Sequence, residues 1–167
     1  MAKHTLENNF EFDFLLFGII CHESEYRICS AINKCLGLDL ARDKALELKN
    51  KKQAEALTFS VFTFTDENSE NEYVLLNNLS SNAAQTEVKA KPTVQAGLFD
   101  DSGEGVNEKK GRLIPEQDET DFFLLLRGDF SSNEKNNILK KLNALETIIN
   151  IKEIDPKKLN SKNNLLF

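Results

Sequence analysis

The stretch Phe122-Phe123-Leu124-Leu125-Leu126 is a continuous apolar run, with Asp121 before it and Arg127-Gly128 after it. A short run of this kind, flanked by polar and turn-forming residues, is typical of a strand that is buried on both faces of a sheet. We therefore expect residues 122–126 to form a central strand.

On the C-terminal side of this run, Ser131 and Glu134 fit a capping box, in which a hydroxyl and a carboxylate cover free backbone amides. An apolar stripe at helical spacing follows and predicts a helix over residues 131–145. Residues 148–154 then alternate as a final strand. The tail, residues 157–167, is predicted to be loosely ordered.

Near the N-terminus, residues 10–14 alternate between Phe and acidic side chains, and the next six residues are apolar without alternation. This pattern predicts a strand over residues 10–20. A helix over residues 24–36 follows, with Ser24 as N-cap and Gly37 in the position where a left-handed residue commonly ends a helix.

The middle of the chain predicts a hairpin, with strands near residues 57–64 and 73–76 and a polar turn between them. Its apolar phase changes near Val61–Phe62, which suggests a β-bulge. Residues 38–52 fit either a short strand or a loose helical turn. Residues 80–111 are rich in polar residues and glycine, and we interpret them as a disordered insertion.

These elements predict one α+β domain over residues 1–167, built as a ferredoxin-like (split βαβ) arrangement. Two helices with one apolar stripe each would cover one face of a mostly antiparallel sheet. The other face would then be open to water, or covered by residues 38–52, the tail or a partner.

Composition excludes several classes of function. The chain has 167 residues and a formal net charge of −6, which argues against general affinity for nucleic acids or anionic membranes. Its apolar runs are too short for a membrane span, and the first residues do not resemble a signal peptide. We therefore expect the cytoplasm as its location.

The residues needed for common cofactors are absent from the sequence. Its two His residues show no paired ligand spacing, and its three Cys residues form no Cys-x-x-Cys pair, so we expect no metal site. No glycine-rich nucleotide motif and no Gly-x-Ser-x-Gly elbow is present. We expect neither a cofactor nor an identifiable catalytic residue.

The most distinctive stretch is Ile114-Pro-Glu-Gln-Asp-Glu-Thr-Asp-Phe122. Pro115 favours an extended Ile114, and four carboxylates follow. Two interpretations remain open, a cation- or ligand-binding loop and a solvated loop stiffened by proline. The spacing is not that of a calcium-binding loop.

This stretch resembles the motif of the IPExxxVDY family of small Bacteroidetes proteins. Ile114, Pro115, Glu116 and Asp121 match, whereas Thr120 and Phe122 stand in place of Val and Tyr. Residues 12–14 and 26–39 are similar to the first strand and helix of that family. The resemblance implies a bacterial cytoplasmic protein and identifies no activity. From the matched segments we take as candidate binding residues Asp13, Arg27, Asn33, Asp39, Ile114, Pro115, Glu116 and Asp121.

Three functional hypotheses follow. A non-enzymatic adaptor or regulatory module would bind a protein partner, or a second copy of itself, through the open sheet face or an edge strand. An enzyme would gather Asp13, Glu116 and Asp121 into one site. An RNA-associated protein would use the basic C-terminal third, with Lys140, Lys141, Lys152 and Lys157 on one surface.

Two further features have both functional and structural interpretations. Gln95, Leu98 and Phe99 in the insertion are similar to peptides that dock on the bacterial sliding clamp, or are isolated side chains in a tether. Asp13 is expected to form a structural ion pair with Arg27 or Arg127.

Overall fold

The computed structural model describes residues 12–49, 56–81 and 111–167. Within these ranges the chain forms an α+β fold in which two α-helices accompany an antiparallel six-stranded sheet of order β2-β5-β6-β7-β1-β8. A separate ribbon pairs β3 with β4. The elements are β1 (Leu15–Ile20), α1 (Glu25–Leu36), β2 (Ala41–Arg42), β3 (Leu46–Leu48), β4 (Leu57–Phe59), β5 (Val61–Thr65), β6 (Glu72–Asn77), β7 (Phe122–Arg127), α2 (Ser132–Asn143), β8 (Asn150–Ile154) and two 3-10 helices (Pro156–Lys158 and Lys162–Leu165).

The run from Phe122 to Leu126 is the buried central strand that the sequence predicts. It lies in β7, between β6 and β1, and all five of its residues are buried. Leu124 faces Leu75 on one neighbouring strand and Phe17 on the other. Both faces of the sheet therefore have an apolar centre that needs a cover.

Each helix connects strands that are not neighbours in the sheet. Helix α1 connects β1 to β2 at the edge of the sheet, with β7, β6 and β5 lying between these two strands. Helix α2 connects β7 to β8 across β1, which makes a split β-α-β unit. The ferredoxin-like arrangement as a whole stays a prediction.

The two predicted helices are confirmed, together with Gly37 after the first and the capping box before the second. Gly37 adopts a left-handed conformation with φ of 72°, and its N–H donates to the Asn33 carbonyl at 2.8 Å. At the start of α2, Ser131 and Glu134 form the reciprocal capping box. The second helix ends at Asn143, two residues before its predicted end.

The sheet separates two clusters of buried apolar side chains. The helix-side core contains Phe17, Ile19, Cys21, Ile28, Cys29, Ile32, Leu40, Phe62, Leu75, Phe122, Leu124, Leu126, Ile138, Leu142, Ile148 and Ile151. The loop-side core contains Leu16, Phe59, Val61, Val74, Leu76, Leu113, Ile114, Phe123, Leu125, Ile154, Leu159 and Leu165. Helices α1 and α2 cover the first cluster, whereas the β3–β4 ribbon, the loop before β7 and the C-terminal tail cover the second.

The second sheet face is covered by the chain itself. Leu113 and Ile114 are fully buried on it, and Leu159 and Leu165 from the C-terminal tail pack beside them. The tail, which the sequence predicts to be loosely ordered, packs on this face through two leucines in an otherwise polar stretch. Within the part of the chain that the structure describes, no open sheet face of the kind expected for an adaptor is found.

The predicted hairpin forms from β5 and β6, but the predicted bulge does not occur. Phe59 and Val61 face the loop-side core and Phe62 faces the helix-side core, so the side chains alternate through Ser60 without a slip. The apolar phase changes near Val61–Phe62 without a bulge, because both faces of the sheet are buried and apolar side chains can point to either. The ambiguous stretch 38–52 supplies the short strands β2 and β3.

The predicted insertion falls mostly on residues 82–110, which lie outside the described residues, as do Gln95, Leu98 and Phe99. The chain leaves and rejoins the described body at one place. Ser80 N–H donates to the Gly111 carbonyl at 2.8 Å, and Leu79 forms an antiparallel bridge with Arg112. None of the helices in the described ranges combines the length and apolar composition needed to cross a membrane.

Because Ser80 and Gly111 are hydrogen-bonded, removal of residues 82–110 should leave the fold intact. We expect a variant in which a short Gly-Ser linker joins Ser81 to Gly111 to unfold cooperatively, with a melting temperature within about 5 °C of the full chain. Circular dichroism melting curves measure this. Loss of the cooperative transition would show that the removed residues are part of the folded body.

Candidate functional site

The Ile-Pro-Glu motif belongs to a loop that the side chain of Asn78 holds on the sheet. Asn78 Nδ2 donates to the carbonyl of Gln117 at 3.0 Å and to that of Thr120 at 2.8 Å. Its Oδ1 accepts the backbone N–H of Ile114 at 2.9 Å. Asn78 is fully buried, so these three bonds replace the water that its amide loses on folding.

Glu116 connects the same loop to the C-terminal tail. Its carboxylate accepts the Ser161 N–H at 2.7 Å and the Ser161 hydroxyl at 2.9 Å. Partial burial raises the pKa of Glu116, but the hydrogen bonds from Ser161 outweigh it and leave the pKa below its usual value. The Asn164 amide donates to the Leu113 carbonyl at 2.8 Å beside it. The motif glutamate therefore has a structural role as an anchor for the tail.

Asp121 joins the motif loop to the end of β1. Its carboxylate accepts the N–H of Cys21 at 2.9 Å, and its own N–H donates to the Ile19 carbonyl at 2.9 Å. Asp13 precedes β1, whereas Cys21 follows that six-residue strand, which spans about 20 Å. The predicted convergence of Asp13, Glu116 and Asp121 is therefore wrong. Across the described ranges, no cluster of three His, Cys, Asp or Glu residues is arranged to bind a metal ion.

The candidate residues around the first helix lie apart from the motif loop. Asn33 closes the turn after α1, because its amide both donates to the Leu40 carbonyl at 3.1 Å and accepts the Leu40 N–H at 2.9 Å. Asp39 is exposed in that turn. Arg27 pairs with Glu23 at 2.9 Å.

The ion pair predicted for Asp13 is not formed with either of the two arginines. Arg127 pairs with Glu72 at 3.0 Å, and Arg27 is engaged by Glu23. Asp13 is exposed at the other end of β1 from α1. An exposed charge ahead of a strand needs no protein partner, because water solvates it.

The lysines expected to form one basic surface are divided between the two sides of the sheet. Lys140 and Lys141 lie on α2, which covers the helix side. Lys152 alternates in β8 with Ile151, a helix-side core residue, and therefore points to the opposite face. The RNA hypothesis thus lacks the common surface that it requires.

Two of the three cysteines are inert structural residues. Cys21 and Cys29 are buried in the helix-side core, and burial raises the pKa of both thiols. Thiolate formation is therefore disfavoured at neutral pH. Both side chains therefore serve as small apolar residues of the helix-side core.

A groove of about 790 Å³ lies on the outer side of the helix layer, between α1 and the C-terminal end of α2. Arg27, Ala31 and Lys34 line it from α1, at the spacing of a single helical stripe. Lys141 and Leu145 line the opposite wall. The groove therefore has an apolar interior with cations along its sides.

The two walls contact each other at one end of the groove. The Cys35 thiol on α1 donates to the Lys141 carbonyl on α2 at 3.3 Å. Ser30 and Thr147 also line the groove. The helix contact fixes the width of the groove on a rigid part of the fold, which favours binding without rearrangement.

The charge of the groove is opposite to that of the chain. Arg27, Lys34 and Lys141 line it together with one carboxylate, Glu23, while the whole chain carries −6. Glu23 is paired with Arg27. Of the residues proposed from the sequence, two line the groove: Arg27, from the family resemblance, and Lys141, from the RNA hypothesis.

Comparison with family models, with curated proteins and with solved structures finds no match to this chain.

Thr120 carries a buried hydroxyl that has no hydrogen-bond partner among the described residues. An unsatisfied buried hydroxyl costs free energy, and Val has nearly the same shape as Thr. We expect Thr120→Val to raise the free energy of unfolding by about 1 kcal/mol, measured by urea denaturation. In the control Thr63→Val, which removes a hydroxyl bonded to Asp43, no such gain is expected. Destabilisation by Thr120→Val would contradict the assignment.

Proposed function

We propose that this chain is a protein-binding module of the adaptor or regulatory type, acting in the cytoplasm through the groove between α1 and α2. Support comes first from the sheet, whose two faces are both covered by the chain's own segments. An extended partner therefore has no bare sheet face on which to pack. The groove offers it a concave surface instead.

The observation that carries this proposal is the division of α1 into two faces. Ile28, Cys29 and Ile32 are buried in the helix-side core. Arg27 and Lys34 lie on a different stripe that lines the groove. A helix that only covers a core needs the buried stripe alone. The second stripe of α1 forms one wall of a concave groove beside α2, and a concave surface suits contact with a partner.

The same proposal includes membership of the IPExxxVDY family, on the resemblance of Ile114, Pro115, Glu116 and Asp121. In this chain Ile114 is a core residue and the two carboxylates bind backbone amides. We therefore interpret the motif as a structural feature of the fold. Its residues hold the loop on the sheet and against the C-terminal tail. The binding surface would then lie away from the motif.

A substitution that fills the groove tests the proposal. Ser30 is exposed and lines the groove, so Ser30→Trp should occupy it without disturbing the core. We expect the affinity for a protein partner, captured by the wild-type chain and then purified, to fall at least tenfold by isothermal titration calorimetry. In the matched control Asn137→Trp, on an exposed position of α2 outside the groove, the affinity should be retained.

Equal affinities of wild-type and Ser30→Trp chains for every captured partner would contradict the groove as the contact surface. Ala31→Gln provides a second, smaller obstruction in case the tryptophan alters the helix. Melting curves of both variants must match the wild type for the comparison to hold.

A further inference from the structure

We propose, on the basis of the groove as binding surface, that its ligand is an acidic peptide segment that places a carboxylate between Lys34 and Lys141 and an apolar side chain next to it. These two lysines line opposite walls, one on α1 and the other in the last turn of α2. They define a position at one end of the groove where an anion would bind.

Neither lysine is neutralised by the part of the chain that the structure describes. The ion pairs found there join Arg27 to Glu23, and Arg42, Arg127, Lys135 and Lys158 to other carboxylates. Lys34 and Lys141 take part in none of them. In a chain with net charge −6, two unpaired cations facing one groove are a local reversal of charge.

The two ends of the groove differ, because the cations at each end have different surroundings. Arg27 is already paired with Glu23 at 2.9 Å, so a carboxylate lies beside it that Lys34 and Lys141 do not have. At the other end, the thiol of Cys35 contacts the Lys141 carbonyl, which brings the two walls together beside Lys34. The carboxylate of the ligand therefore belongs at the Lys34–Lys141 end.

The interior between these ends is apolar and shallow. Ala31, Ala144 and Leu145 line it, and small side chains allow a peptide to approach the helix backbones closely. An apolar residue of the ligand would displace water from this floor, while the lysines fix its register. The expected motif is thus one or two acidic residues close to a Leu, Ile or Phe.

The probe is a displayed library of random twelve-residue peptides, selected on the full chain. We expect enrichment of Asp and Glu next to large apolar residues. A synthetic peptide of the enriched sequence should bind about five- to tenfold more weakly to the double variant Lys34→Gln/Lys141→Gln, by fluorescence anisotropy. Lys140→Gln, which removes a neighbouring exposed charge outside the groove, should bind within twofold of the wild type.

The outcomes separate this inference from the proposed function. Peptides that lose binding to Ser30→Trp but bind the double lysine variant unchanged would overturn the acidic ligand and leave the groove as the contact surface. Peptides that bind Ser30→Trp unchanged, or the failure of any peptide to be enriched, would overturn both. Displacement of the bound peptide by a single-stranded oligouridylate would identify the site as one for nucleic acid and overturn the acidic peptide.

Discussion

The architecture depends on one buried amide. Asn78 follows β6, and its side chain binds three backbone groups of the segment that returns to the sheet before β7. Its backbone adds two more bonds, since its N–H donates to the Asp121 carbonyl and its carbonyl accepts from Leu113, each at 2.8 Å. A loop without regular secondary structure lacks the repeating backbone hydrogen bonds of a helix or sheet. The bonds to Asn78 satisfy its backbone groups and so offset the cost of burying them. Ile114 can lie in the loop-side core because the Asn78 amide forms hydrogen bonds with the backbone groups that are buried near it.

The closure of the loop-side face bears on the proposed binding of a partner. The motif loop and the tail occupy the loop side, and Glu116 locks them to each other through Ser161. Binding in a groove on the helix layer leaves both cores undisturbed, which is physically simpler than displacing packed leucines. In the proposed function, the charge of the groove would provide selectivity in a chain that otherwise repels anions.

Most of the regular structure could be predicted because its signals are local. The apolar run 122–126, the cap at Ser131 and the left-handed Gly37 each carry their meaning in a few neighbouring residues. The role of Asn78 could not be predicted, since an asparagine after a strand reads as an ordinary turn residue and its partners lie 36 to 42 positions away. The groove was missed for the same reason. Arg27 was a candidate from the family resemblance, but no local signal connects it to Lys34, and the approach of Lys141 depends on tertiary packing.

The central claim is that the Asn78 amide holds the motif loop on the sheet. Its most direct test is the free energy of unfolding of Asn78→Ala together with hydrogen exchange at the Ile114 amide, which donates to Asn78. Loss of three side-chain hydrogen bonds should lower the free energy of unfolding by about 3 kcal/mol and expose the Ile114 amide to exchange before global unfolding. A decrease below about 1 kcal/mol, with Ile114 still protected to the global limit, would contradict the account.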